Sequence, residues 1–359
     1  MSDMAARYRD EMGQVALTKE QRDRMAQAVA SAALRTPASG EAPVAAFRPR
    51  RRRGLAVAAV AAGVAVAVGL GGYAYASGQL VTVASAFDDV FGGGTAPTNV
   101  TDKVGRPVNA VATSDGITVS ADAIMGDARN YVVVYSIGRT DGKPLGTVGT
   151  DENGTLTLNG HPLSADFCQS VDGATGQGGS AYFYDADPSD NAIQLVTQLT
   201  ADTNVIGATV NMHLSAINGL DDSAQSETSV ATGDWNLKFK LNYEADSVSL
   251  KPTGSLTVAG TDASVQSVSV SPVAVSVDYT VNGTEDAPKT SGRWSPKYLD
   301  LGDITVTMRG GTTITVPSGA CSSHEEDGRT VVEMGAFLDR TIDPSQVASV
   351  SFGGVTATA

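Results

Sequence analysis

The stretch Trp235-Asn236-Leu237-Lys238-Phe239-Lys240-Leu241-Asn242-Tyr243 alternates apolar and polar residues without interruption. Successive side chains of a β-strand point to opposite faces of its sheet, so this alternation predicts a strand with one face buried and one exposed. Aromatic residues make up only 6% of the chain, whereas Val, Thr, Ser and Gly are abundant. This composition favours strands and turns, so we expect a mainly β fold.

Further strand patterns precede this stretch and predict a first β-domain over residues 96–244. Ile117, Val119 and Ala121 alternate, and residues 131–137 form a continuous apolar run that is typical of a strand buried on both faces. Asn159-Gly160 is a strong signal for a two-residue hairpin turn.

A second β-domain is predicted over residues 245–359. Apolar residues alternate from Val273 to Val281, and Asn282-Gly283 then predicts a turn. Arg309-Gly310-Gly311 separates two further short strands and indicates another hairpin. Because strands recur about every 10 residues, both domains fit two-sheet, Ig-like β-sandwiches.

Upstream of both domains lies the pattern of a membrane span. Residues 54–76 carry no charge, and as a helix they would extend about 34 Å, enough to cross a hydrocarbon core of about 30 Å. Basic residues flank a span on its cytoplasmic side, and here they stand on the N-terminal side. These flanking residues are Arg48, Arg50, Arg51, Arg52 and Arg53.

The charge distribution agrees with this topology. Residues 1–53 carry a net charge of +5, and residues 77–359 carry −19, since the whole chain is −14 and the span is uncharged. We therefore expect a single-pass protein of the cell membrane with a cytoplasmic N-terminus and an extracellular C-terminus. A stalk over residues 77–95 is expected to join the span to the first β-domain. An acidic exterior disfavours direct binding of nucleic acid.

Two alternatives concern the span itself. Ala74-Tyr75-Ala76 resembles a signal-peptidase site, although the charged region before the span is longer than that of a signal peptide. Small residues at every fourth position allow close helix packing and a homodimer through the transmembrane helix, although an Ala- and Gly-rich run also produces this spacing by chance. These residues are Ala59, Gly63, Ala67 and Gly71.

A short helical head over residues 1–35 precedes a linker and basic flank over residues 36–53. Thr18 and Gln21 have the spacing of a capping box at the start of a second helix, and Pro37 ends it. Two such helices are too short to bury a core of their own, so we expect them to bind a partner through their apolar faces, with a weak hairpin or a disordered head as the alternatives. The expected contact residues are Tyr8, Met12, Leu17, Met25, Val29 and Leu34.

The sequence contains no motif that indicates catalysis, a cofactor or a metal site. His161, His213 and His324 are scattered, with His161 expected in a solvated loop and His213 on the exposed face of its strand. The acidic stretch at 185–190 resembles half of a calcium loop but fits a polar turn around Pro188 better. Cys168 and Cys321 either pair as a disulfide or remain separate thiols. We expect no enzyme activity.

The layout of head, linker, basic flank, span and β-rich exterior resembles that of membrane-anchored anti-sigma factors. Part of the exterior resembles an uncharacterised domain of Gram-positive bacteria that often accompanies such heads, and the C-terminal end is similar to the Ig-like domain that commonly follows it. The segments that carry these resemblances are Phe87–Phe91, Ile117–Val119, Tyr131–Tyr135, Ile342–Val347 and Phe352–Val355.

The resemblance implies a signalling role, in which the head holds an extracytoplasmic-function sigma factor inactive and the exterior senses the envelope. The head lacks the His and Cys residues of zinc-type anti-sigma factors, so binding would rely on apolar helix faces. The alternative is a membrane-anchored surface or adhesive protein whose sandwiches bind wall polymer or another protein, because a fold does not specify a function.

Overall fold

The computed structural model describes residues 86–87, 90–91, 104–185, 187–188, 190–221, 226–285 and 297–359. The predicted head, linker, basic flank and span, with the six expected contact residues, lie outside this range. Among the described residues no helix is both long and apolar enough to cross a membrane. Strands dominate the described part, and all of it belongs to one compact unit, residues 66–359.

The first sandwich consists of two antiparallel five-stranded sheets. We call the first of them the junction-side sheet; its strand order is β1-β2-β3-β8-β7, and the order in the opposite sheet is β10-β9-β6-β5-β4. The strands are β1 (Gly105–Ser114), β2 (Ile117–Gly126), β3 (Asn130–Arg139), β4 (Val148–Thr150), β5 (Leu156–Leu158), β6 (His161–Val171), β7 (Gln177–Tyr184), β8 (Ala192–Ala201), β9 (Thr209–Asp221) and β10 (Ser226–Lys240).

The alternating stretch at 235–243 supplies one side of the core of this sandwich, as predicted. Its apolar residues are all buried in one cluster with residues of the junction-side sheet. Trp235 is fully buried, and its indole Nε1 donates a hydrogen bond to the Ile117 carbonyl at 3.0 Å. This bond ties the two sheets together where β10 lies beside β1 and β2.

The second sandwich is built around β11, which belongs to both of its sheets. Val248–Leu250 pair with β13, whereas Lys251–Gly254 pair with β20. The strand order over the two sheets is β16-β15-β19-β20-β11-β13-β14-β18-β17, with β12 beside β13. The strands are β11 (Val248–Gly254), β12 (Leu256–Val258), β13 (Thr261–Val270), β14 (Ala274–Val281), β15 (Asp303–Met308), β16 (Thr313–Pro317), β17 (Ala320–Glu326), β18 (Arg329–Phe337), β19 (Val347–Phe352) and β20 (Val355–Thr358).

Two of the three predicted turns form hairpins. Asn159 and Gly160 have φ angles of 55° and 84°, the left-handed pair that a two-residue turn between β5 and β6 requires. Residues 309–311 connect the paired strands β15 and β16. At Asn282-Gly283 the chain turns, as predicted, but β14 pairs with β13 and β18 and not with β15, so this turn does not form a hairpin.

Candidate functional site at the junction of the two sandwiches

The outer face of the junction-side sheet is buried by the second sandwich. The predicted burial of β3 on both faces is confirmed: Tyr131, Val133, Tyr135 and Ile137 lie in the first core, whereas Val132 and Val134 lie in a separate cluster. That cluster also contains residues of β2 and β8 and, from the second sandwich, Val273 and Ala274. We call this apolar cluster, with the polar contacts beside it, the junction.

The segment Ala86–Phe91, which lies close after the predicted span, is part of the junction. Ala86, Phe87, Val90 and Phe91 are all buried in the same cluster. The Phe91 amide donates to the Phe87 carbonyl at 3.0 Å, and the Tyr184 hydroxyl donates to the Ala86 carbonyl at 3.2 Å. The stalk predicted for this region is therefore docked onto the sandwiches at this point.

Asn130, at the start of β3, is the polar centre of the junction. It is fully buried, and its Nδ2 donates to the Asp127 carboxylate at 3.0 Å and to Ser276 Oγ of the second sandwich at 2.7 Å. Its Oδ1 accepts a hydrogen bond from Thr200 Oγ1 on β8 at 2.8 Å. The bond to Ser276 crosses between the two sandwiches, and the bonds to Asp127 and Thr200 hold the amide in the orientation that this bond requires, so separating the sandwiches would leave the buried amide short of a partner.

An ion pair extends this network. Arg129 Nη2 lies 2.6 Å from Asp278 Oδ1, whose carboxylate also accepts a hydrogen bond from Ser267 Oγ at 2.6 Å. Glu333 is the cross-strand neighbour of Asp278. Burial raises the pKa of the Glu333 carboxyl, while His324 and Arg129 nearby oppose part of that rise. Arg129 therefore stands near two carboxylates of the second sandwich.

Two glycines allow the backbones to approach at the junction. A Cβ at Gly335 on β18 would overlap Asn130 Oδ1 and Thr200 Oγ1, and a Cβ at Gly178 on β7 would overlap the Cys321 carbonyl on β17. Glycine is required at both positions because a side chain would occupy the space of the opposing sandwich.

Asp122 is a buried carboxyl in the same sheet. It is the extra residue of a β-bulge in β2, and its carboxylate accepts hydrogen bonds from Ser120 Oγ at 2.7 Å and from Ser136 Oγ at 2.5 Å. Burial raises the pKa of Asp122 to about 6, although both hydroxyls oppose the rise. Because that pKa exceeds the ordinary 3.8, the folded chain binds more protons than the unfolded chain between these values.

We expect the free energy of unfolding to fall as the pH rises from about 4 to about 6 and to remain lower above that range. Asp122→Asn should remove this dependence and stabilise the chain at pH 7 by about 3 kcal/mol, since each unit between the pKa values of 3.8 and about 6 corresponds to about 1.4 kcal/mol. Urea unfolding at pH 4.5 and 7, followed by tryptophan fluorescence, measures both effects. Asp115→Asn, in an exposed turn, is the matched control, and an equal pH dependence in both variants would contradict the assignment.

The remaining residues singled out from the sequence do not assemble into a site. Both cysteines are free thiols, with Cys168 exposed on β6 and Cys321 partly buried on β17, so the disulfide considered above is not formed in the structure. His213 is exposed as expected, with Nε2 3.0 Å from Asp234 Oδ1. His161 begins β6 and is half-buried, so its placement in a solvated loop is wrong.

The acidic stretch at 185–190 forms turns between β7 and β8. The Asp185 carboxylate accepts from the Asp187 amide at 3.1 Å, and the Asp190 carboxylate accepts from the Ala192 amide at 2.8 Å. Within the described ranges no group of three His, Cys, Asp or Glu residues has a geometry that could hold a metal ion.

Comparison with known proteins supports part of the resemblance. A family described as "Domain of unknown function (DUF4179)" matches residues 48–139, which include the basic flank, the predicted span and β1 to β3. No significant match exists among curated proteins. Among solved structures, the chain is similar to "the conserved domain protein from Bacillus anthracis", with 14% identity and a TM-score of 0.47 over 75% of this chain and 80% of that chain.

Proposed function

We propose that this chain is a single-pass membrane regulator whose cytoplasmic head sequesters an extracytoplasmic-function sigma factor and whose exterior senses the envelope. The opposite net charges on the two sides of an uncharged run of 23 residues support the topology. The family match, which begins at the basic flank and continues through β3, supports a membrane segment joined directly to an exterior β-domain. In this proposal the second sandwich is Ig-like, and the span can dimerise through its small residues.

The observation that carries the proposal is the docking of Ala86–Phe91. This segment lies between the predicted span and the first sandwich, and its apolar residues are buried among residues of both sandwiches. A ligand that changed the junction would therefore change the contacts of the segment that leads into the membrane. A surface protein that needed only an anchor would function equally well with an undocked stalk.

Capture of sigma factors by the full chain tests the head. The wild-type chain should co-purify with one sigma factor, and the double variant Met25→Asp/Val29→Asp should lose it, because two carboxylates would be placed on the apolar contact face. The matched control is Gln27→Asp/Ser31→Asp, which adds the same charge to the opposite face of that helix. Equal capture by both variants would overturn the contact face, and no capture by the wild type would favour the adhesive alternative.

A further inference from the structure

The free edge of the junction-side sheet lacks the features that usually block strand addition. β7 forms this edge and pairs with β8 in continuous register from Gln177 to Tyr184. Its sequence, Gln-Gly-Gly-Ser-Ala-Tyr-Phe-Tyr, contains neither a charge nor a proline, and residues 179–182 are exposed. Natural edge strands are usually protected by charges, prolines or bulges. The opposite edge, β1, has Arg106, Pro107 and a bulge between Pro107 and Ala110.

The outer face of β7 is covered at both ends and open in the middle. Gly178 lies against the Cys321 backbone of β17, and the Tyr184 hydroxyl contacts the Ala86 carbonyl. Between these contacts Ser180 is exposed and Tyr182 retains 38% of its exposure, with its ring 6.4 Å from that of Tyr184. Partial burial raises the pKa of Tyr182 to about 12. The exposed ring of Tyr182 can therefore pack against a side chain of an added strand.

The acidic residues beside β7 favour a basic segment as the added strand. Asp185, Asp187 and Asp190 follow β7 directly, and the whole chain has a net charge of −14. A second copy of this chain would bring the same acidic surface to the edge, which disfavours self-pairing. A basic extended segment would place its cations against these carboxylates while its backbone pairs with β7.

We propose that the β7 edge binds an extended, basic polypeptide segment of another protein, which joins the junction-side sheet as an additional strand. Backbone hydrogen bonds to β7 supply affinity, Tyr182 receives a side chain of the added strand, and the acidic turn selects its charge. Binding at β7 changes the strand whose Tyr184 hydroxyl contacts the Ala86 carbonyl, and through it the segment that follows the predicted span. Only this effect on the segment rests on the proposed function. Strand addition itself does not depend on what the head binds.

The probe is a fluorescein-labelled peptide, Lys-Thr-Val-Thr-Val-Thr-Lys, titrated with the purified full chain in detergent and followed by fluorescence anisotropy. We expect saturable binding that weakens at least tenfold in Tyr182→Lys, which places a like charge beside the probe and removes the phenol. Tyr182→Ala should weaken binding by a smaller factor. Val111→Lys, at an exposed position of the opposite edge strand β1, should bind as the wild type does.

Two further peptides test the backbone pairing and the charge preference separately. A peptide N-methylated at alternate amides should not bind, and one with Glu in place of Lys should bind at least tenfold more weakly. Equal affinity of the wild type and Tyr182→Lys for the Lys peptide would overturn the assignment to β7, and so would binding of the N-methylated peptide. The proposal would also be overturned if the wild type did not bind the Lys peptide, or if sedimentation showed a dimer that depends on β7. Unchanged urea midpoints in the variants establish that the fold is retained, and no sigma factor enters the measurement.

Discussion

Replacing Asn130 by alanine is expected to lower the free energy of unfolding by about 3 to 5 kcal/mol. The change removes a buried amide and leaves the Asp127 carboxylate, Ser276 Oγ and Thr200 Oγ1 each short of one partner. Each buried polar group left unsatisfied costs about 1 to 3 kcal/mol, and relaxation recovers part of the total. The loss should therefore exceed that of an ordinary surface substitution several-fold.

Urea unfolding of the full chain, followed by tryptophan fluorescence, measures this loss. Asn236→Ala is the matched control, because Asn236 is exposed and donates to an exposed carboxylate, that of Asp234. The control should change stability by less than about 0.5 kcal/mol. A loss below about 1 kcal/mol in Asn130→Ala would contradict the assignment of Asn130 as the polar centre of the junction.

Gly335→Ala is expected to destabilise the chain by about 3 kcal/mol, at the upper end of the usual range for overpacking. The new methyl group would overlap Asn130 Oδ1 and Thr200 Oγ1 from the opposing sandwich. Neither atom can move freely, since the two are joined by a hydrogen bond and Asn130 is bonded to Asp127 and Ser276 as well. The junction must open or the Asn130 network must break.

The control for this substitution is Gly310→Ala in the hairpin between β15 and β16. Gly310 has no atom near the position of an added Cβ and no left-handed φ angle, so alanine should be accepted within about 0.5 kcal/mol. The double variant Asn130→Ala/Gly335→Ala should lose less than the sum of the single losses, because the first change removes the side chain with which the second collides. Strict additivity would show that the two residues act independently.

Several strands could not be predicted from the sequence because their side chains face water or polar neighbours. β17 (Ala-Cys-Ser-Ser-His-Glu-Glu) is an edge strand without apolar alternation, and β13 (Thr-Asp-Ala-Ser-Val-Gln-Ser-Val-Ser-Val) is mostly polar along its first half. Hydrophobic periodicity detects a strand by its buried face, so strands that bury little are missed. Each of them forms by pairing with a more apolar neighbouring strand: β13 pairs with β14, and β17 pairs with β18.

The candidate site was hidden for a different reason. Asp127 and Arg129 stand in the polar loop between β2 and β3, where the sequence pattern indicates only a turn, and Asn130 directly follows as the first residue of β3. Their partners Ser276 and Asp278 follow 146 and 149 residues later along the chain. Spacing along the sequence contains no information on contacts of this length, and Gly335 looks like a flexible residue within a strand until the side chains of Asn130 and Thr200 opposite it are known.

The mainly β character, the two-faced burial of β3 and the core alternation at 235–243 could all be predicted from the sequence, because each depends on the local order of apolar residues. The sequence did not predict what covers the outer face of β3, which in the folded chain is the second sandwich together with the segment Ala86–Phe91. Burial on both faces requires an apolar partner without specifying it, since the hydrophobic effect is not directional. The hydrogen bond from Asn130 to Ser276 and the close approaches at Gly335 and Gly178 select that partner, and they exist only when the two sandwiches meet.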